Sequence, residues 1–259
     1  MKTRIITAVI ALAIFIPILW IGGIWIEIAS AFLAFIGISE IFIMKRMMVL
    51  NPIAILSMIM GMALTLPNSL FNNLWLDKDS LFYAFILILL MAIVFSYQTF
   101  SIEDAGVIAI TTFYIGHGFY YLTVAREKGL PYLFYALLLV WSTDIFAYVF
   151  GRKIGKHKLD PVISPNKTWE GSIAGVLCSV IVALIYNFFI PVQKNILILI
   201  IATTLLSIVG QIGDLAESAI KRHYNVKDSG RILPGHGGIL DRFDSFLLVF
   251  PCLHLLGFF

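Results

Sequence analysis

The chain has 259 residues, of which 60% are hydrophobic and only 13% charged, with a net charge of +3 and a mean hydropathy of +0.97. Soluble domains carry about 25% charged residues, so a water-soluble globular domain is excluded and the composition is that of an integral membrane protein. The two cysteines, Cys178 and Cys252, lie in apolar runs without metal-ligand spacing; they read as packing residues, with no disulfide.

The opening stretch, MKTRIITAVIALAIFIPILW, has the basic flank and apolar run of a signal peptide. The run is long, no small-residue cleavage site follows it, and many similar segments come later, so it is read as a retained first span. A span needs about 20 apolar residues. On that basis nine segments are predicted, near 5–24, 25–44, 52–68, 81–98, 105–124, 131–150, 171–191, 195–220 and 239–258. The first two are joined so tightly that a re-entrant pair is an alternative. The third and fourth are short, which leaves a range of eight to ten spans. The fold class is therefore an all-α, polytopic helical bundle of about nine transmembrane helices.

Charge sets the orientation. With the N-terminus on one side, that side receives fourteen Lys and Arg residues and the other side four. Lys2, Arg4, Lys45 and Arg46 belong to the rich side, as do two basic loops, 151–170 and 221–238. By the positive-inside rule the N-terminus and both loops are cytoplasmic. No internal repeat or low-complexity linker is visible, and the informative residues are concentrated after position 140.

Four aspartates lie where a membrane helix should be apolar. Asp144 stands six residues before Phe150 in LLLVWSTDIFAYVFGRK, roughly 9 Å below the cytoplasmic end of its segment at 1.5 Å per residue. Asp214, in SIVGQIGDLAESAIKR, lies at a similar depth, with Glu217 and Ser218 one turn above it. Asp241 and Asp244 fall in the first turns of the last segment and, three apart, share a helix face. A charge at the centre of a spanning helix costs on the order of 2.5–3.5 kcal/mol, and less near its end. Each acid alone could snorkel or pair with a loop lysine. Four at one level, opposite the two most basic loops, read instead as oxygen ligands of the kind Mg²⁺ takes together with substrate phosphates.

Each loop supplies a partner for phosphate. In GRKIGKHKLDPVISPNKTWEG a basic run and a Pro-fixed turn lead through Asn166, Lys167 and Thr168 into a helix at Trp169 and Glu170. A helix start beside a lysine favours an anion. In KRHYNVKDSGRILPGHGG, Gly235, Gly237 and Gly238 permit close backbone approach and positive φ next to a negatively charged ligand. Attraction to anionic lipid would explain the lysines but not the glycines. His236, flanked by glycines, is a candidate substrate contact, whereas His117, His157, His223 and His254 have no ligand-like spacing. Gly171 and Gly175 form a small-xxx-small pair suited to helix packing. Glu27 and Glu40 are isolated membrane acids, for which a local hydrogen bond is the default.

The stretch SAIKRHYNVKDSGRILPGHGGILDRFD, Ser218 to Asp244, resembles the signature of the phosphatidate cytidylyltransferases, or CDP-diacylglycerol synthases. Its pattern is met by Ser218, Lys221, Arg222, Lys227, Asp228, Pro234, Gly235, His236, Gly237, Gly238, Asp241, Arg242 and Asp244. Upstream, GQIGDLAES and SPNKTWEG are also similar to family segments. The close match covers roughly 80 residues after position 140 and is highly specific, because many identities recur at fixed spacing. The first 130 residues match only in being apolar.

The resemblance implies an enzyme that uses CTP and phosphatidic acid, with Mg²⁺, to make CDP-diacylglycerol and pyrophosphate in phospholipid biosynthesis. It implies an N-terminal transmembrane region, 1–130, for lipid access, packing and dimerisation, and a catalytic region, 131–259. Asp214 and Asp241 are then expected to hold Mg²⁺, with Asp244 and Asp144 beside them and a second cation left open. Lys167, Lys221, Arg222 and Lys227 would meet the phosphates; Gly237 and Gly238 would let the backbone approach the nucleotide. Arg242 would orient the acids or bind pyrophosphate. Asn166, Asp228 and His236 complete the expected substrate-binding set. A homodimer in a bacterial inner membrane, with the active site facing the cytoplasm, is implied as well; no nucleic-acid partner is expected.

Three rival readings fit the sequence less well. CDP-alcohol phosphotransferases need a D-G-x-x-A-R run that is absent here. A CTP-dependent lipid kinase would transfer the γ-phosphate instead. An ion transporter would place its acids near the midplane in repeated halves, and here they lie at one face.

Overall fold

The computed structural model describes residues 2–71, 77–96 and 98–259, without the side chains of residues 2–5 and 8. The Lys2 and Arg4 side chains, and Tyr97 in the fourth expected segment, therefore lie outside the described residues. Among those described, the chain forms nine α-helices: α1 (Lys2–Ile21), α2 (Ile24–Met44), α3 (Pro52–Thr65), α4 (Lys78–Phe95), α5 (Ile102–Lys128), α6 (Leu130–Ile154), α7 (Trp169–Phe189), α8 (Ile196–His223) and α9 (Leu240–Leu255). Six of them, α2 and α4 through α8, are long and apolar enough to cross a bilayer. The chain is an integral membrane protein. Helices α3 and α9 are shorter than expected, with 14 and 16 residues. At 1.5 Å per residue they reach about 21 and 24 Å, short of a hydrocarbon core of about 30 Å.

One departure from all-α is a two-stranded antiparallel hairpin, β1 (Lys158–Asp160) and β2 (Ser164–Thr168), pairing Lys158 with Thr168 and Asp160 with Ser164. Asp160 explains it locally. Its carboxylate accepts from the N–H groups of Val162 and Ile163, both at 2.9 Å, and so turns the chain at Pro161.

The chain divides into two compact units, Met1–Thr123 with Asp228–Leu240, and Val124–Lys227 with Asp241–Phe259. In the first, α2 ends in a Schellman motif: Arg46 sits at φ +57°, and the Met47 N–H reaches the Phe42 carbonyl at 2.9 Å. Lys45 at that end pairs with Asp104 at 2.5 Å, and Asp104 also accepts from the Ser101 N–H at the start of α5. Thr123 donates to Ser30 at 3.0 Å and ties α5 to α2.

In the second unit, α7 shows why helices associate in lipid. Gly171, Gly175, Ser179 and Ala183, four apart, are buried, while Ile173, Leu177, Ile181 and Ile185 are exposed. The small residues face inward and let backbones touch, because lipid tails solvate large apolar side chains as well as protein does. A Cβ added at Gly171 would lie 2.5 Å from the Ala147 carbonyl oxygen, and one at Gly175 would lie 2.8 Å from that of Thr143. Hydroxyl and amide pairs lace the same core. Tyr135 meets Thr203 at 2.7 Å, Thr143 meets Ser207 at 2.8 Å, and Ser172 donates to Gln211 at 2.5 Å.

Candidate active site

The second unit brings together most of the ionisable residues singled out from sequence. Asp144 comes from α6, Lys167 from β2, Asp214, Glu217 and Lys221 from α8, and Asp241 and Asp244 from α9. Lys167 pairs with Asp214 at 2.7 Å, and both side chains are about a third exposed or less. Lys221 donates to Asp241 at 2.6 Å and pairs with Glu217 one turn earlier on its own helix. Glu217 and Asp241 are buried side chains at 4% and 7% exposure, so Lys221 bridges two carboxyl groups that water barely reaches. Asp144 and Asp244 lie within electrostatic reach of Asp214, and Asp244 also within reach of Lys221.

Local structure sets each position. Lys167 is held because Thr168, next to it, caps α7 by accepting from the Gly171 N–H at 3.2 Å. Glu170 accepts from His157 at 2.6 Å and closes the base of the hairpin. Asp214 gains a neighbour through Gly213: a Cβ there would lie 2.7 Å from the Asp244 carbonyl oxygen, so α9 touches the α8 backbone at that turn. Ser218 also reaches Asp214, at 3.4 Å. Helix α8 ends in a second Schellman motif. Asn225 sits at φ +56°, and Val226 N–H reaches the Lys221 carbonyl at 2.9 Å. Three basic residues, Lys221, Arg222 and His223, complement the negative end of its dipole.

Other expected residues are exposed or belong to the first unit. Arg222 donates to the Val226 carbonyl at 3.2 Å and is exposed; Lys227 and Asn166 are exposed as well. Neither Arg222 nor Lys227 makes an ion pair among the described residues. Arg242 is exposed on the first turn of α9. Asp228, His236, Gly237 and Gly238 belong to the segment that groups with the first unit.

That segment is shaped by its own sequence. His236 N–H bonds the Leu233 carbonyl at 2.8 Å across Pro234 and Gly235, and Gly235 has φ +80°. Proline followed by a positive-φ glycine is the type II turn pattern. Gly237 follows at φ +87° and returns its carbonyl to the Leu233 N–H at 3.0 Å. Gly238 is buried, and the space its missing side chain leaves is filled by Glu40 and Ser229.

Comparison with known proteins decides the class of chemistry. Residues 2–259 match the model of the Cytidylyltransferase family. The chain belongs to that family. It is 48% identical over 256 residues to the phosphatidate cytidylyltransferase of Staphylococcus haemolyticus, covering 99% of this chain and 98% of that relative. The corresponding proteins of Staphylococcus epidermidis and Staphylococcus aureus are each 45% identical over the same shares. As a cytidylyltransferase the chain is an enzyme of the nucleotidyltransferase class, and a constellation of carboxylates and lysines suits anionic, metal-chelating nucleotides.

Three further residues bear on these elements, Glu217 and Gly213 in the second unit and Glu40 in the first. Glu217 was visible as a neighbour of Asp214, and its four-residue spacing to Lys221 was the signal for the pair. Gly213 was visible only as part of GQIGD. Glu40 was read as making a local bond; its partners lie 189 to 200 residues away, and periodicity carries no signal for such contacts.

Proposed function

We propose that this enzyme transfers the cytidylyl group of CTP to phosphatidic acid, giving CDP-diacylglycerol and pyrophosphate in phospholipid biosynthesis. The single observation that carries the reading is the pair of lysine–carboxylate contacts, Lys167 with Asp214 and Lys221 with Asp241, in one unit of a membrane cytidylyltransferase. The names of the relatives supply the lipid substrate.

The donor set fits a hard cation. Among the described residues no three His, Cys, Asp or Glu side chains form an all-protein cage that could hold a metal ion. Mg²⁺ seldom uses such cages and takes one or two carboxylates, with phosphates and water completing the shell. Asp214 and Asp241 would hold it, with Asp144 and Asp244 adding negative charge nearby. When bound, Mg²⁺ supplies charge neutralisation on the phosphoryl oxygens.

The chain's own residues do the rest. A phosphate oxygen of phosphatidic acid attacks the α-phosphorus of CTP; the bond to the β-phosphate oxygen breaks, and pyrophosphate leaves with that electron pair. No side-chain nucleophile is needed. Lys167 and Lys221 leave their carboxylates for phosphate oxygens, which lowers the repulsion between two anionic reactants and aligns them. Placement of the acids on membrane helices suits a lipid headgroup entering from the leaflet while CTP arrives from water. The excess of Lys and Arg on one side supports a cytoplasm-facing site in a bacterial inner membrane, and the family resemblance supports a homodimer.

The test is to purify the protein, incubate it with CTP labelled in the α-phosphate, Mg²⁺ and phosphatidic acid, and extract the lipid. Label in the lipid from the wild type, and about a hundredfold less from Asp241→Asn, is expected. No label from wild type overturns the function; full labelling by Asp241→Asn overturns the metal assignment.

A further inference from the structure

Glu40 is a buried acid on α2, 2% exposed, in a mostly apolar helix that also carries Glu27 in its first turn. Its carboxylate is used as a fork. One oxygen accepts from the Ile239 N–H at 2.8 Å; the other accepts from the Leu240 N–H at 2.9 Å and from the Ser229 hydroxyl at 3.0 Å. Ser229 and Ile239–Leu240 are the two ends of the PGHGG segment, so one side chain clasps both ends of the loop.

Two glycines make the grip possible. A Cβ at Gly230 would lie 2.6 Å from a Glu40 carboxylate oxygen, and one at Gly238 would collide with the Glu40 carboxyl and the Ser229 hydroxyl. Thr7 adds a third tie to the same unit, donating to the Pro234 carbonyl at 3.0 Å. Ile239 and Leu240 supply N–H groups at the start of α9, which a helix leaves without internal partners. A negative charge there is favoured by both the donors and the dipole.

We propose that Glu40 is a positioning residue for nucleotidyl transfer: it holds the 229–240 segment in the shape that receives the nucleotide. This rests on the cytidylyl-transfer reading above. Burying a carboxylate in a membrane helix is costly, and packing alone would be met by an apolar residue of the same size. The forked acceptor is the property that only a carboxylate of this length provides. Glutamine is the informative variant, because its amide nitrogen turns a donor toward donors, and aspartate falls short by one methylene.

The experiment uses the full chain in detergent or nanodiscs. Hydrogen exchange of residues 229–240 and steady-state kinetics are measured for wild type, Glu40→Gln and Glu40→Asp. Glu40→Gln is expected to release the protection of the Ile239 and Leu240 amides while α6, α7 and α8 stay protected. Its kcat/KM for CTP should fall about a hundredfold, as misplacement of a remote positioning group does. The change should appear in the KM for CTP and leave the KM for phosphatidic acid near its wild-type value. Glu40→Asp should recover part of both. Unchanged exchange, or lost protection with unchanged CTP kinetics, overturns the proposal; so does an equal rise of both KM values. Where Glu40→Gln fails to fold, Ser229→Ala removes one donor only and should raise the KM for CTP by roughly tenfold or less; no rise overturns the proposal. Wild type inactive toward CTP and phosphatidic acid would remove the functional reading by itself, and the exchange of Ile239 and Leu240 would still decide whether Glu40 holds the loop.

Discussion

Lys221 on α8 reaches Asp241 on α9 at 2.6 Å while pairing with Glu217 on its own helix. One ammonium thus bridges two buried carboxyl groups, and its loss removes a cation from beside both. Removing one partner of a buried ion pair costs about 3–5 kcal/mol. Lys221→Met should therefore lower the melting temperature in detergent sharply. Glu217→Gln should lower it far less, because Lys221 keeps Asp241. Equal losses, read by the unfolding of purified protein, would contradict this division.

Lys167 and Asp214 form a 2.7 Å pair whose members have different proposed tasks. Lys167→Ala should retain activation by Mg²⁺ but raise the KM for CTP, since the lysine meets phosphate. Asp214→Asn should shift the Mg²⁺ concentration needed for half-maximal activity upward and lower kcat by about a hundredfold or more. Titrating Mg²⁺ and CTP separately for both variants checks the assignment. Chelation with EDTA should abolish wild-type activity, and added Mg²⁺ should restore it.

Gly213 lets α8 touch the backbone of α9 beside Asp244. A methyl group there meets a carbonyl oxygen at 2.7 Å, with no flexible side chain to give way. Gly213→Ala should cost about 1–3 kcal/mol of stability, as overpacking does. It should also reduce turnover at temperatures where the protein is still folded. Thermal unfolding and activity measured together separate the two effects.

Thr168 caps α7 and adjoins Lys167 in β2. Thr168→Ala should lose about 1 kcal/mol, and its activity should fall more than its stability predicts. Thr168→Ser keeps the accepting oxygen and should behave close to wild type. Circular dichroism melts and CTP kinetics on the two variants test the difference.

Parts of this molecule were readable in advance because they depend on local pattern. Apolar runs marked the nine helices, and Gly171 and Gly175 marked the face of α7 that packs on α6. Asp144, Asp214, Asp241 and Asp244 were conspicuous because a charge in an apolar segment demands a partner. The hairpin at Lys158–Thr168 was not readable: its strands are three and five residues long, and one contains Pro165, which argues against a strand. The third segment was legible as short, whereas the shortness of α9 was hidden because the residues after Leu255 are themselves apolar. Glu40 was misread because its donors come from residues 229, 239 and 240, and only the folded chain brings them to α2. Gly238 carried the same ambiguity. A missing Cβ shows that something comes close, and here Glu40 and Ser229 do so.

The most direct measurement follows the two labelled phosphates of CTP. Purified protein in phosphatidic acid vesicles with Mg²⁺ is given CTP labelled at either the α- or the γ-phosphate. Cytidylyl transfer predicts α-label in the lipid and γ-label in free pyrophosphate, in equal amounts. Label from the γ-phosphate in the lipid, with CDP released, would mean a lipid kinase and would contradict the proposed reaction.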